Sequence, residues 1–294
     1  MNIMIILNYN DFFNTDKLVR EVQSFSNLDK IIIVDNYSTD NSYEKIENLA
    51  NDDTVVLRAK ENRGYAAGNN IGIRYAADHF SVKNIVISNP DIIVKESTLN
   101  KLFYKLEEFP KVSAVSGIVC DINGNIVDNF AWKLPTYFMM LQNTSVIITK
   151  LLMSLGISRF YEKKNLHSTK IVDVLSGCFF IIKAEVFSEV GYFDEDSFLY
   201  NEENILFYKL KNLGYSQLIL CEETIIHIQG TSINKNIRSF FQKRNTIKHS
   251  EQVYLEKYLD INKAQMLVYN ICFFIGSLEK YLIAKLKNVR RRKN

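Results

Sequence analysis

Residues 31–40 read Ile31-Ile32-Ile33-Val34-Asp35-Asn36-Tyr37-Ser38-Thr39-Asp40: four β-branched residues in a row, then a run of turn-forming polar ones. The first four predict a buried strand, and the acid that ends it stands where the chain leaves the sheet. The same signature recurs at Ile3–Leu7, Thr54–Leu57 and Ile85–Ile87. Amphipathic stretches lie between these runs. Leu18, Val22 and Phe25 share a helical face. Leu99, Leu102, Phe103 and Leu106 follow the spacing of another helix, for which Thr98 or Ser97 is the expected N-cap. Strand–helix alternation of this kind predicts an α/β fold with a mostly parallel sheet. Such sheets bind ligands beyond the carboxyl ends of their strands, where this sequence concentrates Asp and Asn.

Composition bounds the remaining choices. The 294 residues are 47% hydrophobic and 23% charged, as in a folded globular protein. A formal net charge of +3 makes no case for a nucleic-acid partner. Cys120, Cys178, Cys221 and Cys272 are widely spaced, with neither a zinc-type pair nor a disulfide framework, which suits a reducing cytoplasm. Met1–Leu7 has no basic n-region or cleavage site and reads as a strand rather than a secretion signal. The longest apolar stretch, Met266–Ala284, is interrupted by Asn270, Glu279 and Lys280. It falls short of the ~18 uninterrupted apolar residues of a spanning helix, so the chain is expected to be soluble or to lie on a membrane.

In the second half, Tyr137–Phe160 is apolar without clean periodicity and reads as an insertion near an acceptor. Val172–Leu175 and Phe179–Ile182 resume the sheet, and a helix is expected from Glu202 to Gly214. From about Ser239 the pattern is helical. Ile271, Phe274, Ile275, Leu278, Leu282, Leu286 and Val289 form a stripe that leads into Lys285, Lys287, Arg290, Arg291, Arg292 and Lys293. An apolar stripe with a basic tail suits residues 266–294 to peripheral contact with an anionic membrane, or to an ordinary packed or dimerising helix of a homodimer.

Five groups could carry chemistry. Asp35 can accept the imide N–H of uracil or thymine, or simply close a strand into a turn. Asn62-Arg63-Gly64-Tyr65-Ala66-Ala67-Gly68-Asn69-Asn70 offers small residues at a helix start, suited to a diphosphate or to close helix packing. Asp91 of Asn89-Pro90-Asp91 can hold Mg2+ or Mn2+, although the tripeptide is also a common turn. Glu202-Glu203 opens a helix, where acids suit the dipole and where one could take a proton from a hydroxyl. His227 could complete a metal shell or touch phosphate, or be an ordinary histidine.

The order and spacing of these groups resemble glycosyltransferase family 2, which has the GT-A fold, and particularly its bacterial rhamnosyltransferase-like branch. The matching stretches are Leu7-Asn8-Tyr9-Asn10, Val34-Asp35-Asn36 with Ser38 and Asp40, and Asn62-x-Gly64-Tyr65-Ala66-x-Gly68-x-Asn70-x-Gly72. Asn89-Pro90-Asp91, Ser176-Gly177-Cys178, Gly191-Tyr192-Phe193-Asp194-Glu195, Phe198 through Glu203, and His227-x-x-Gly230-x-Ser232 complete the set. The resemblance runs to about residue 250. It implies a catalytic domain over 1–238, with a nucleotide-binding half to about 118 and an acceptor half beyond. Residues 239–294 are then a helical extension.

The resemblance also implies roles. Asn8 and Asp35 would hold base and ribose, Asn62, Gly64 and Asn70 would line the nucleotide pocket, Asn36 and Asn89 would also bind the nucleotide-sugar, and Asp91 would present the metal-side acid. Ser176, Gly177 and Asp194 would border donor sugar and acceptor. Glu203 would be the base beside Glu202, and His227 would sit near diphosphate or metal. The donor would be a dTDP- or UDP-sugar, and the acceptor a saccharide or lipid-linked glycan. Three features depart from the pattern: Glu203 stands for the commoner Asp, Ile205 replaces a further acid, and Asn89-Pro90-Asp91 carries a single acid. A sugar nucleotidyltransferase predicts a glycine-rich loop after the first strand, and Asn8-Tyr9-Asn10-Asp11 has no glycine. The lack of G-x-G-x-x-G tells against an NAD enzyme. A glycan-binding protein with lost chemistry need not keep Asp35, Asp91 and Glu203 together.

Overall fold

The computed structural model describes residues 1–163, 166, 168–228 and 240–291, with side chains described up to residue 286. Four Ile- and Val-rich strands open the chain: β1 (Asn2–Asn8), β2 (Lys30–Asp35), β3 (Thr54–Arg58) and β4 (Asn84–Ser88). They pair in parallel in the order β3-β2-β1-β4. The chain therefore reverses its direction of growth at β1, and a crevice is expected at the carboxyl ends beside it. Helices α1 (Phe12–Val22), α2 (Ser42–Ile46) and α3 (Tyr65–His79) connect them. A Cβ on Gly72 would lie 2.9 Å from both Ile5 and Val34, so α3 packs on the sheet almost backbone to side chain.

Beyond β4 come β5 (Ile92–Ile93), α4 (Glu96–Glu108), β6 (Val112–Cys120) and β7 (Ala131–Trp132). Next are α5 (Tyr137–Thr144), α6 (Val146–Ser154), β8 (Thr169–Val172), β9 (Val174–Leu175) and β10 (Phe179–Lys183). The sheet continues from β4 through β10, β6 and β11 (Ser216–His227) to β5, with β8 also on β11. β10, β5 and β8 run against the others, which leaves six of nine strands pointing one way. This is the expected α/β GT-A architecture, a mostly parallel sheet flanked by helices. Short α7 (Ala184–Glu189) precedes α8 (Glu202–Asn212), which ends as expected at a left-handed Gly214.

Three local expectations change. Helix α4 starts at Glu96 without a side-chain cap, because the Thr98 hydroxyl donates instead to buried Glu223 at 2.7 Å. Phe25 lies beyond the end of α1. The 137–160 stretch forms two short helices, capped by Thr136 and Ser145.

A second, smaller apolar cluster joins α5 and α8 to the C-terminal extension through Met140, Ile205, Tyr254, Leu255, Tyr269 and Phe273. That extension comprises the helix Phe240–Val253, a π-helical turn Tyr254–Tyr258 and the helix Lys263–Arg291. The expected boundary at 238/239 falls outside the described residues. By length and composition, Lys263–Leu286 is apolar enough to cross a membrane, with a mean hydropathy of 1.4, against the sequence expectation. The residues that interrupt it are spent on the protein. Lys280 donates to Asn143 O, Glu279 accepts from Ile147 N, and Asn270 accepts from Gln252. Leu267, Ile271, Phe274, Ile275, Leu278, Leu282 and Leu286 remain exposed.

Candidate active site

At the carboxyl ends of β1 and β2, Asn8 and Asp35 are register partners and both are fully buried. Asn8 Nδ2 donates to Asp35 Oδ1 at 2.9 Å and to Ser38 Oγ at 3.1 Å, while Thr15 donates to Asn8 Oδ1. Ser38 donates to Asp35 through its hydroxyl and through its backbone N–H at 3.0 Å. Arg58 Nε lies 3.8 Å from Asp35 Oδ2. Asp35 is thus the anchor that shapes the 35–40 loop, and most of its acceptor capacity is used within the protein. Asn36 keeps a buried Oδ1 without a partner among the described residues, and its amide donates to Asn62 Oδ1 and Gly64 O.

Gly64 adopts φ +95°, and a Cβ there would sit 1.9 Å from Phe198 O. Tyr65 N donates to that same carbonyl at 2.8 Å. The 198–200 loop therefore plugs the start of α3. Of the two readings of this stretch, close packing is the one seen here: Tyr65 N is taken by Phe198 O, and Ala66, Ala67 and Gly68 are buried. Asn70 is likewise fully buried: its amide bonds Phe193 O, Phe193 N and Glu195 Oε1. It braces the 191–195 loop.

The acids of the second half meet around residues 176–178. Antiparallel pairing of β10 with β4 sets Phe179 beside Ser88, and Asn89 N donates to Cys178 O at 2.8 Å. Asn89-Pro90-Asp91 and Ser176-Gly177-Cys178 are thereby neighbours. Ser176 is buried, with its hydroxyl 3.4 Å from Cys178 Sγ. Asp91 Oδ1 lies 3.2 Å from His227 Nε2. Burial pulls the His227 imidazolium down, but bonding to Asp91 and Cys178 outweighs it and holds the group at about 10. On the other side, Gly177 N donates to Glu203 Oε1 at 3.2 Å and Gly177 O accepts from Tyr65 Oη at 2.6 Å.

Glu202 and Glu203 occupy different environments on the first turn of α8. Glu202 is buried, with Oε1 unpartnered among the described residues, while Glu203 is partly open. Desolvation first, then the neighbouring Glu203 charge, raises the Glu202 carboxyl well above its ordinary range. Desolvation also raises Glu203, opposed by bonds from Gly177 and by the Arg159 charge. Tyr200 and Asn201, which lead into this turn, both have positive φ, at 73° and 67°. Backbone strain of this kind collects at sites that fix side-chain direction.

Residues 4–191 match the glycosyl transferase family 2 domain. The chain belongs to glycosyl transferase family 2. It is 25% identical over 258 residues to the low-salt glycan biosynthesis hexosyltransferase Agl10 of Haloferax volcanii, spanning 85% of this chain and 76% of that one. Among solved structures, GalNAc-T7 with UDP, GalNAc and Mn2+ superposes with a TM-score of 0.61 at 18% identity, over 88% of this chain and 50% of the other. The Pyrobaculum calidifontis mannosyltransferase PcManGT with GDP-Man and Mn2+ gives 0.56 at 15% identity, over 97% and 75%. S. aureus TarS with UDP-GlcNAc gives 0.53 at 13% identity, over 94% and 72%. These likenesses establish the GT-A fold.

In this family 2 transferase, Asp194 has partners in the C-terminal extension. Its carboxylate binds Lys257 at 2.9 Å and accepts from Tyr258, so it ties the C-terminal extension to the catalytic domain. Burial alone would raise Asp194; the bonds from Tyr258, Asp196 N and Lys257 lower it. Tyr65 and Cys178 belong to the quoted motifs, but their contacts with Gly177 O and Asn89 N follow from the fold. Arg159 had no local signal at all, because only the fold brings it near Glu203. Gly230 and Ser232 of the histidine motif lie outside the described residues. Asp91 and His227 offer one carboxylate and one imidazole, a donor set for a divalent ion completed by diphosphate oxygens. Among the described residues no cluster of three ligating side chains occurs. For a metal to enter, their ion pair must open and His227 must lose its proton.

Proposed function

We propose that this glycosyltransferase moves a sugar from a nucleoside-diphosphate donor to a saccharide hydroxyl in a single inverting displacement. Glu203 is the base. The acceptor oxygen bonds to the anomeric carbon as the bond from that carbon to the diphosphate oxygen breaks, and the acceptor proton passes to Glu203. Glu202, whose carboxyl burial raises well above its ordinary range, lies beside it on the same helical turn and orients it. Asp91 and His227 would hold Mg2+ or Mn2+, which offsets charge on the leaving diphosphate.

The observation that carries this reading is the junction at Gly177. One peptide unit and its neighbour bind Glu203 on one side and Tyr65 of the nucleotide half on the other. Cys178 joins the same turn to Asn89. These contacts support a reading in which Glu203, Asp91 and the nucleotide half serve one donor.

The preferred donor is dTDP-rhamnose or another dTDP- or UDP-hexose, and the acceptor a lipid-linked saccharide in cell-surface polysaccharide synthesis. Support comes from a relative named for glycan biosynthesis and from solved structures that hold UDP- or GDP-sugars. The exposed apolar stripe of the C-terminal helix, with Ile147, Ile148 and Leu151 of α6, supports a peripheral seat on the cytoplasmic membrane face. The test is release of nucleoside diphosphate from a panel of dTDP-, UDP- and GDP-sugars with Mg2+ or Mn2+. Release from a dTDP- or UDP-hexose is expected. Silence across the panel refutes the activity, and release from GDP-sugars alone refutes the nucleotide.

A further inference from the structure

The C-terminal extension carries buried positive charge that the transfer step does not use. Gly276 lets its helix approach α5 so closely that a Cβ would lie 2.0 Å from Thr144 O. One turn on, Lys280 Nζ donates to Asn143 O at 3.0 Å, and Ser277 Oγ accepts from Arg244 Nε at 3.1 Å. Arg244 is only 8% exposed, and its guanidinium lies 4.0 Å from the centre of the Phe273 ring. Arg159 approaches from the loop after α6.

Three N–H donors in this region are buried without a partner among the described residues: Arg244 Nη2, Arg159 Nε and Asn143 Nδ2. Each unmet donor carries a desolvation cost, and unpaired buried cations cost more. The carboxylates within reach are Glu251, bound by the Tyr269 phenol, Glu279, which accepts from Ile147 N, and Glu203. Burial first and then the Arg244 charge draw the Lys280 ammonium down to about 8, as expected where cations crowd together. Two guanidinium groups and an amide with orphaned donors, beside the Lys280 ammonium, describe a site suited to an oxyanion.

We propose that Arg159, Arg244, Lys280 and Asn143 bind a phosphoryl group, carried by the acceptor as a phosphate or diphosphate ester. The acceptor part of this inference rests on the transferase reading; the anion site rests on the charges and orphaned donors alone. Its position fits the role. Arg159 feels both Glu203 and Glu251, so it stands between the base and the cluster. The exposed Ile271, Phe274 and Leu278 belong to the same helix as Ser277 and Lys280, and can take the apolar carrier of such an acceptor. Arg244, Glu251 and Lys280 lie beyond the family-matched residues 4–191 and Arg159 and Asn143 within them, so the site forms where the extension meets the matched part of the chain.

The test uses the full chain in chelator, with inorganic phosphate as one probe and phosphatidylcholine vesicles containing a polyprenyl phosphate as the other. Wild type, Arg244→Met, Lys280→Met and Asp91→Asn are compared by calorimetry and thermal melting. Phosphate binding is expected in wild type and Asp91→Asn, and at least tenfold weaker in both Met variants. Each Met variant also loses a bond, Arg244 to Ser277 and Lys280 to Asn143 O, so phosphate-free melting serves to show that both remain folded. Vesicle binding with the same dependence assigns a membrane-borne phosphate; dependence for inorganic phosphate alone assigns a water-soluble ester. Phosphate binding lost only in Asp91→Asn, or unchanged in both Met variants, or absent from wild type with both probes, overturns the site. Donor turnover measured separately reports on the transferase reading, so the two can fail independently.

Discussion

The amide of Gly177 donates to Glu203 Oε1, and the glycine's missing side chain is what lets the carboxylate approach. A Cβ there would lie 2.5 Å from Glu203 Oε1 and 2.9 Å from its Cγ. The Glu203 carboxylate is therefore aimed by a backbone 26 residues earlier in the chain.

Gly177→Ala should push the Glu203 side chain aside while leaving the fold intact. A displacement near 1 Å costs about 10²-fold in rate. Steady-state kinetics should show kcat falling with donor KM little changed; an unaltered kcat would mean that the contact does not position the base.

Glu202 makes a pH-dependent prediction. Its carboxyl is raised in the folded state, so the native protein binds more protons than the unfolded chain between the ordinary Glu pKa and the raised value. Stability then falls as pH rises through that window. Glu202→Gln removes the titration, so the variant should match wild type at low pH and exceed it at neutral pH. Urea melts at pH 4 and pH 7.5 check this, and equal differences at both would contradict it.

How far the sequence foretold this arrangement varied with the element. β1 to β4 were legible because strands buried on both faces read as unbroken Ile and Val runs. β6 was not, since Val112–Cys120 mixes Ser, Ala and Gly into a strand that is nonetheless buried throughout. β11 was hidden by Cys221-Glu222-Glu223, where its register on β6 shifts. The residue types around Asp35, Asp91 and Glu203 were sufficient to name a site. They did not reveal that Asn70 and Asp194 would be consumed by neighbouring loops, because partners more than 60 residues away leave no local pattern. Arg159, Arg244 and Lys280 were illegible for the same reason.

Gly64→Ala tests the plug between the two halves. Left-handed backbone at a non-glycine residue costs ~1–3 kcal/mol, and the 1.9 Å approach to Phe198 O adds to it. A lower denaturant midpoint and weaker donor binding are expected together; a fully stable variant would show that the 198–200 loop moves freely.

Asp194→Asn should loosen the extension without touching the transfer chemistry. The carboxylate is held below its ordinary range, so its contribution is present above that range and lost as pH falls through the lowered value. Hydrogen exchange at Tyr254–Tyr258 should rise in the variant at pH 7. Unchanged protection would mean that the apolar cluster alone holds the extension.

The most direct test of the central claim is Glu203→Gln, assayed for sugar transfer and, by calorimetry, for donor binding. Loss of a general base predicts a rate lower by ~10²–10⁴-fold with donor affinity preserved. Wild-type turnover in that variant would contradict the assignment of Glu203 as the base.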